Sequence, residues 1–198
     1  MHPLLIATNN SHKTEEIAAI LGSTFQVKDL SSGSFPKVAE TGTTFLENAT
    51  LKAVEISKLT EGWVLSDDSG LEVDALHGEP GVYSSRYAGS DGDDAANNAK
   101  LMRELAKLPS DTARTARFRC VIVIAKNGER LAHFSGSVEG SIVLASDGDH
   151  GFGYDPHFQP EGFDKTFAQL PTEVKNSLSH RARAMAQASP WLMEQVEA

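Results

Sequence analysis

The chain has 198 residues, 40% of them apolar and 23% charged, ordinary values for a globular protein long enough to bury a core. Its 27 acidic residues outnumber 18 basic ones, giving a formal net charge of −9. That balance argues against a nucleic-acid polymer as partner, because no excess of Lys and Arg exists to neutralise many phosphates. The single cysteine, Cys120, excludes a disulfide framework and a cysteine-type zinc site and reads as a small buried hydrophobe.

In chain order, residues 4–8 form a short apolar strand, and Ile17, Ile20 and Leu21 recur at helical spacing before a stop at Gly22. A second strand is expected over 25–30 and a Ser/Gly/Pro loop over 31–36. Thr44-Phe45-Leu46-Glu47 has capping-box spacing, and Phe45, Leu46, Ala49, Ala53, Val54 and Ile56 mark a helix to about residue 59. A strand over 63–66 leads into an acidic turn at Asp67-Asp68, and another strand is expected over 71–76. Residues 78–92 read as a long surface loop. Residues 95–108 are helical, ended by Pro109. Segments 114–126 and 130–140 flank Asn127-Gly128, a strong hairpin signal, with 141–145 extending that sheet. The tail from 172 to 196 is helical with a break near Pro190. Strands alternate with helices early and a hairpin comes late, so the expected fold is α/β with a mixed sheet. No linker or repeat divides the chain, so one domain over 1–198 is expected, with the hairpin forming a second lobe. The N-terminus lacks a secretory pattern and no run is long enough to span a bilayer. No membrane partner is expected, and the expected location is cytoplasmic.

Ser66-Asp67-Asp68-Ser69-Gly70-Leu71 is the most informative segment. Adjacent carboxylates repel each other and are costly to desolvate, and a divalent cation removes that repulsion. Mg²⁺ typically takes one or two carboxylates plus substrate phosphates. Asp, Ser and Gly are also ordinary turn residues. Thr8-Asn9-Asn10-Ser11-His12-Lys13 joins a strand to a helix whose N-terminus favours an anion. Lys13 in the first turn opposes the helix dipole, a placement that suits a bound phosphate or a solvated surface lysine. Lys175 and His180-Arg181 repeat the pattern, with Ser177 or Ser179 able to cap the last helix. Gly151-Phe152-Gly153-Tyr154-Asp155-Pro156 combines aromatics that can stack on a planar ring with glycines that permit close approach, or forms a packed loop without a ligand. Together these segments suit a nucleotide with its phosphates on Mg²⁺.

The same segments, with Glu40-Thr41-Gly42, Thr44-Phe45-Leu46-Glu47-Asn48-Ala49 and Gly78-Glu79-Pro80-Gly81-Val82-Tyr83-Ser84-Ser85-Arg86-Tyr87, occur in one order from residue 8 to residue 181. In this the chain resembles the non-canonical purine nucleoside triphosphate pyrophosphatase family, the ITPase or dITP/XTP pyrophosphatase group. The resemblance implies hydrolysis of ITP, dITP and XTP to the monophosphate and pyrophosphate, clearing deaminated purines from the nucleotide pool. It also implies an elongated mixed sheet flanked by helices, two lobes with a cleft between them, Mg²⁺ dependence and a homodimer. By position, Asp68 is implied as general base and metal ligand, Glu40 as its partner at the metal, and Asp67 as close by. Thr8, Asn9, Asn10, Ser11, His12 and Lys13 are implied to hold phosphates and sugar, and Ser69 to contact substrate. Phe152, Gly153, Tyr154 and Asp155 are implied to stack on and read the base, with Lys175, His180 and Arg181 completing the pocket. Two positions depart from the family's habit: Asn9 stands where Gly is common, and Gln169 where an acid is common. A pyrophosphatase for modified pyrimidine nucleotides, or a nucleotide-binding regulator without turnover, is the competing reading, and a substrate panel separates them.

Overall fold

The computed structural model describes residues 1–197. Its elements run β1 (His2–Ile6), α1 (Ser11–Leu21), β2 (Phe25–Asp29), α2 (Phe45–Ser57), β3 (Trp63–Val73), α3 (Asp94–Leu105), β4 (Thr115–Lys126), β5 (Glu129–Ile142), β6 (Phe158–Pro160), α4 (Thr172–Leu178) and α5 (His180–Glu197). The six strands form one sheet in the order β2-β1-β3-β4-β5-β6. β1 pairs parallel with both β2 and β3, whereas β5 and β6 pair antiparallel, so the sheet is mixed and the class is α/β, as expected. Among the described residues, no helix is long and apolar enough to cross a membrane.

The chain divides into two compact units. The first comprises Met1–Asp68, Cys120–Gly136 and His180–Ala198, and the second Ser69–Arg119 and Ser137–Ser179. The core of the first unit has two faces. Ile17 and Leu21 of α1 and Ala184, Met185, Ala188 and Leu192 of α5 pack with Leu4, Ile6, Leu65, Cys120, Ile122 and Ile124 from the strands. On a separate cluster, Ile56 of α2 meets Ala7 and Val64. In β3 these alternate: Val64 joins the α2 cluster and Leu65 the α1/α5 cluster, as a period of two demands. The second unit has its own core, in which Leu101 and Leu105 of α3 pack with Leu71, Phe118, Phe158 and Phe167.

Local signals account for most boundaries. Thr44 accepts from the Glu47 N–H and the Glu47 carboxylate reaches back to the Thr44 N–H, the reciprocal cap that the spacing predicts. Asn127 and Gly128 both have positive φ, 53° and 81°, which gives the two-residue turn of a β4–β5 hairpin.

Four expectations fail. The hairpin does not form the second lobe, since its turn and adjoining strand segments, Cys120–Gly136, belong to the first unit. Residues 63–73 are one uninterrupted strand, with no acidic turn at Asp67-Asp68 and no break at Gly70. Asp disfavours strands, but here each carboxylate meets cations on its own face of the sheet, so the strand continues. Residues 78–92 are not purely surface loop: Gly81–Arg86 is a 3₁₀ helix with Ser84 buried, its hydroxyl accepting the Leu71 N–H at 2.9 Å. The break in the C-terminal helical stretch falls at Ser179, in extended backbone, and Pro190 lies inside α5. Gln169 serves as a local brace, its carbonyl accepting the Thr166 N–H and its amide donating to Asp147 at 2.7 Å. Asn9 is not among the residues with positive φ.

Ile122 is fully buried in the first unit's core. Ile122→Ala is expected to lower the free energy of unfolding by roughly 2–5 kcal/mol, read from urea denaturation.

Candidate active site

The first unit gathers its charge around β3. Asp67 and Asp68 are neighbours in an extended strand, so their side chains leave opposite faces of the sheet. On one face Asp67, 1% exposed, accepts from Lys13 Nζ of α1 at 2.5 Å and from Arg181 Nε of α5 at 2.9 Å. The Cys120 thiol of β4 donates to the same carboxylate at 3.0 Å. Arg181 is 1% exposed, and its second partner is Glu16 of α1. Burial alone would raise the Asp67 pKa, but Arg181 and then Lys13 outweigh it and hold the carboxyl well below its ordinary 3.8. Burial, reinforced by Asp67, pushes the Cys120 thiol well above its ordinary range, so this cysteine is an inert neutral donor.

On the other face Asp68 accepts from Lys52 Nζ of α2 at 2.9 Å, and the same ammonium donates to the Asp67 carbonyl at 2.9 Å and pairs with Glu40 at 2.8 Å. Burial raises the Asp68 pKa above 3.8 and Lys52 limits the rise. Burial opposes the charge on Lys52, but Asp68 and then Glu40 more than compensate and raise its pKa. One oxygen of Asp68, Oδ2, is buried with no hydrogen-bond partner. The segment carrying Glu40 is clipped to α2, where the Gly42 N–H donates to the buried Asn48 side chain at 2.8 Å.

These donors fit a hard cation such as Mg²⁺: an orphaned carboxylate oxygen on Asp68 and a second carboxylate, Glu40, on the same lysine. Among the described residues no group of three or more His, Cys, Asp or Glu could hold a metal, so a cation here would need ligand oxygens from elsewhere.

The N-terminal segment is arranged around the start of α1. Asn10 caps the helix through the Lys13 N–H at 3.3 Å, and Thr8 Oγ1 accepts the Asn10 N–H. Asn9, Asn10, Ser11 and His12 are exposed, with Thr8 and Lys13 half-buried. Lys13 opposes the dipole of its own helix because a buried carboxylate, Asp67, waits for it. His180 and Arg181 fall in the first turn of α5, as expected, and both are buried.

The second unit holds the aromatic loop, with Ser69, half-buried, following Asp68 in β3. Asp155, 2% exposed, accepts the Phe152 N–H at 2.9 Å and Lys175 Nζ at 2.5 Å. The Lys175 ammonium also lies over the Phe152 ring, 4.8 Å from its centroid. Gly151 has φ +77°, and a Cβ there would strike the Asp155 carboxylate, so only glycine closes this loop. Tyr154 is buried and donates its hydroxyl to the Ser84 carbonyl at 2.8 Å, which anchors the ring in the unit's core. Phe152, half-buried, is the more accessible of the two rings.

Sequence reasoning missed Lys52. Its signal was positional: Phe45, Asn48, Ala49, Ala53 and Ile56 form the buried stripe of α2, and Lys52 stands in line with them. Glu16 and Cys120 carry no comparable signal, since their role depends on α5 and β4 meeting Asp67.

Removing Arg181 leaves Asp67 buried with one cation fewer. Arg181→Gln is expected to cost roughly 3–5 kcal/mol at neutral pH by chemical denaturation. Because the folded Asp67 pKa is depressed, its contribution is present above the unfolded value and lost as pH falls through the folded one. The variant's deficit should therefore shrink on acidification.

Comparison with known proteins shows what the chain as a whole is similar to. The Ham1 family profile matches residues 4–191. A dITP/XTP pyrophosphatase of Desulforamulus reducens is 50% identical over 189 residues, covering 93% of this chain and 92% of that protein. One from Listeria monocytogenes is 45% identical, covering 100% and 98%. Among solved structures, a HAM1 protein from Coxiella burnetii superposes with a TM-score of 0.87 at 38% identity, covering 98% of this chain and 100% of that one. The Staphylococcus aureus Ham1 protein does so with 0.84 at 42% identity, covering 98% and 99%. A match along nearly the whole length in both sequence and fold makes this chain a member of the Ham1 family.

Proposed function

We propose that the chain is a nucleoside triphosphate pyrophosphatase that hydrolyses ITP, dITP and XTP to the monophosphate and pyrophosphate. The observation that carries this reading is the buried, unpartnered Oδ2 of Asp68 beside an ammonium shared with Glu40. Relatives named dITP/XTP pyrophosphatase, at 44–50% identity over most of the chain, supply the substrate class.

Water is a poor nucleophile until a base takes its proton. Asp68 is suited to that step, since burial makes its carboxylate more basic than an exposed one while Lys52 keeps it ionisable. Water's oxygen bonds to phosphorus, its proton passes to the Asp68 carboxylate, and the anhydride bond breaks with pyrophosphate leaving. Lys52 steadies Asp68 and Glu40, and places positive charge where negative charge develops. Lys13 retains donors beyond the one on Asp67 and can hold a phosphate oxygen, with the exposed polar side chains of residues 9–12 beside it. Mg²⁺, held by Asp68 and Glu40 together with substrate phosphates, would neutralise charge on the polyphosphate. Arg181, buried between Asp67 and Glu16, acts as a positioning residue for that face of the sheet. Phe152 offers a ring for stacking, with Gly153 to Asp155 at the base edge and Lys175 beside them. A site that hydrogen-bonds a 6-oxo group rejects adenine's amine by leaving polar groups unpaired. Two copies of the chain are expected to associate, as sedimentation would measure.

A panel of ITP, dITP, XTP, dATP, dGTP and dUTP with Mg²⁺, scored for pyrophosphate against single phosphate, tests the reading. Pyrophosphate is expected from the inosine and xanthosine nucleotides, with dATP turned over far more slowly. Asp68→Asn should abolish that turnover, with a cooperative unfolding transition retained, whereas wild-type rates in the variant would remove Asp68 as the base. A second prediction concerns pH. Activity needs ionised Asp68, so kcat/KM should rise with pH through its pKa. Lys52→Gln removes the cation that limits this pKa, and the acidic limb of the residual activity should move to higher pH.

A further inference from the structure

We propose that Asn98 and Asp94 of α3 are positioning residues that fix the Gly153 backbone and so aim the Tyr154 N–H as a donor for a purine 6-oxo group. This rests on the pyrophosphatase reading above and adds to it the residues that set selection against a 6-amino purine.

Both groups of Gly153 are gripped from one helix. The Gly153 N–H donates to Asp94 Oδ2 at 2.7 Å, and its carbonyl accepts from Asn98 Nδ2 at 2.8 Å. Asp94 and Asn98 are four residues apart and share a helix face, and Asn98 also donates to the Asp94 carbonyl at 2.9 Å. Each bond orients a whole peptide plane, because the peptide unit is rigid. The plane bearing the Gly153 carbonyl also bears the Tyr154 N–H, directed the opposite way. Pinning the oxygen to Asn98 therefore aims that N–H away from α3. The plane bearing the Gly153 N–H carries the Phe152 carbonyl, which accepts the Asp155 N–H at 3.3 Å.

The fixed N–H has work left to do. The Tyr154 side chain is committed to the Ser84 carbonyl, yet among the described residues its N–H has no hydrogen-bond partner. Its neighbours on either side are tied down: Phe152 N–H and Lys175 both bond Asp155, and Gly153 is held at both ends. Gly153 itself has φ +63° with open space at its Cβ position, so its conformation rather than crowding demands glycine. An unpartnered donor between neighbours that are already held suits an acceptor. Hypoxanthine and xanthine present an oxo acceptor at position 6, whereas adenine presents an amine there, donor against donor.

The test compares kcat and KM for dITP and dATP in the wild type and in Asn98→Ala, Asp94→Ala and Asp94→Asn, with melting temperatures alongside. Asn98→Ala is expected to lower kcat/KM for dITP about tenfold or more, through KM, and to leave dATP unchanged. Asp94→Ala should move the same way, and Asp94→Asn, which keeps an acceptor for the Gly153 N–H, should restore selectivity. A wild-type dITP-to-dATP ratio in Asn98→Ala, or an equal loss on both nucleotides with a lowered melting temperature, overturns the positioning role. A wild-type protein without preference for dITP overturns the pyrophosphatase reading and this inference with it, an outcome already distinct in the unmutated enzyme.

Discussion

The period of two in a β-strand is the constraint on which this site depends. Asp67 and Asp68 are covalent neighbours in β3, and side by side on one surface they would repel at close range. In an extended strand they leave opposite faces, and each meets a separate set of cations. Asp67 is neutralised by Lys13 and Arg181 and sealed from water, which makes it part of the framework. Asp68 shares one lysine with Glu40 and keeps an oxygen without a partner, which leaves it capable of chemistry. Two identical side chains thus acquire opposite pKa shifts from their surroundings alone.

The polar network also explains the placement of residues that local rules disfavour. Lys13 sits at the wrong end of a helix dipole, and Arg181 is a fully buried guanidinium. Both costs are offset by the same carboxylate, and Glu16 shares the second. Cys120 completes the set as a weak donor that is too well buried to ionise. Fully satisfied, such a network favours one arrangement of α1, β3, β4 and α5, since any slip of β3 by one residue would exchange Asp67 and Asp68 between faces.

Much of this was legible in the sequence, for reasons tied to range. The α2 cap, the Asn127-Gly128 hairpin and the α1 stop at Gly22 are set by contacts within a few residues, and they follow the chain's own signals. The continuous β3 was not legible, because the carboxylates that look like a turn are tolerated only through partners on α1, α2 and α5. For the same reason Lys52 reads as an ordinary helix lysine until its position in the buried stripe is weighed. The aromatic loop was identified as a unit, but the division of labour within it, Tyr154 anchoring and Phe152 more open, depends on Ser84 more than sixty residues earlier.

The first unit is assembled from three separated stretches, and Arg181 belongs to the last of them. A chain emerging from the ribosome therefore exposes Asp67 long before its guanidinium partner exists, while every residue of the second unit is made before α5 appears. Asp67 must remain hydrated, or lean on Lys13 alone, until α5 is synthesised. The C-terminal helix then acts as the closing piece of the first unit, and its docking converts a solvated acid into a buried one. On this ordering the second unit has the opportunity to fold first, and the charge network of the first unit closes only once α5 has been made.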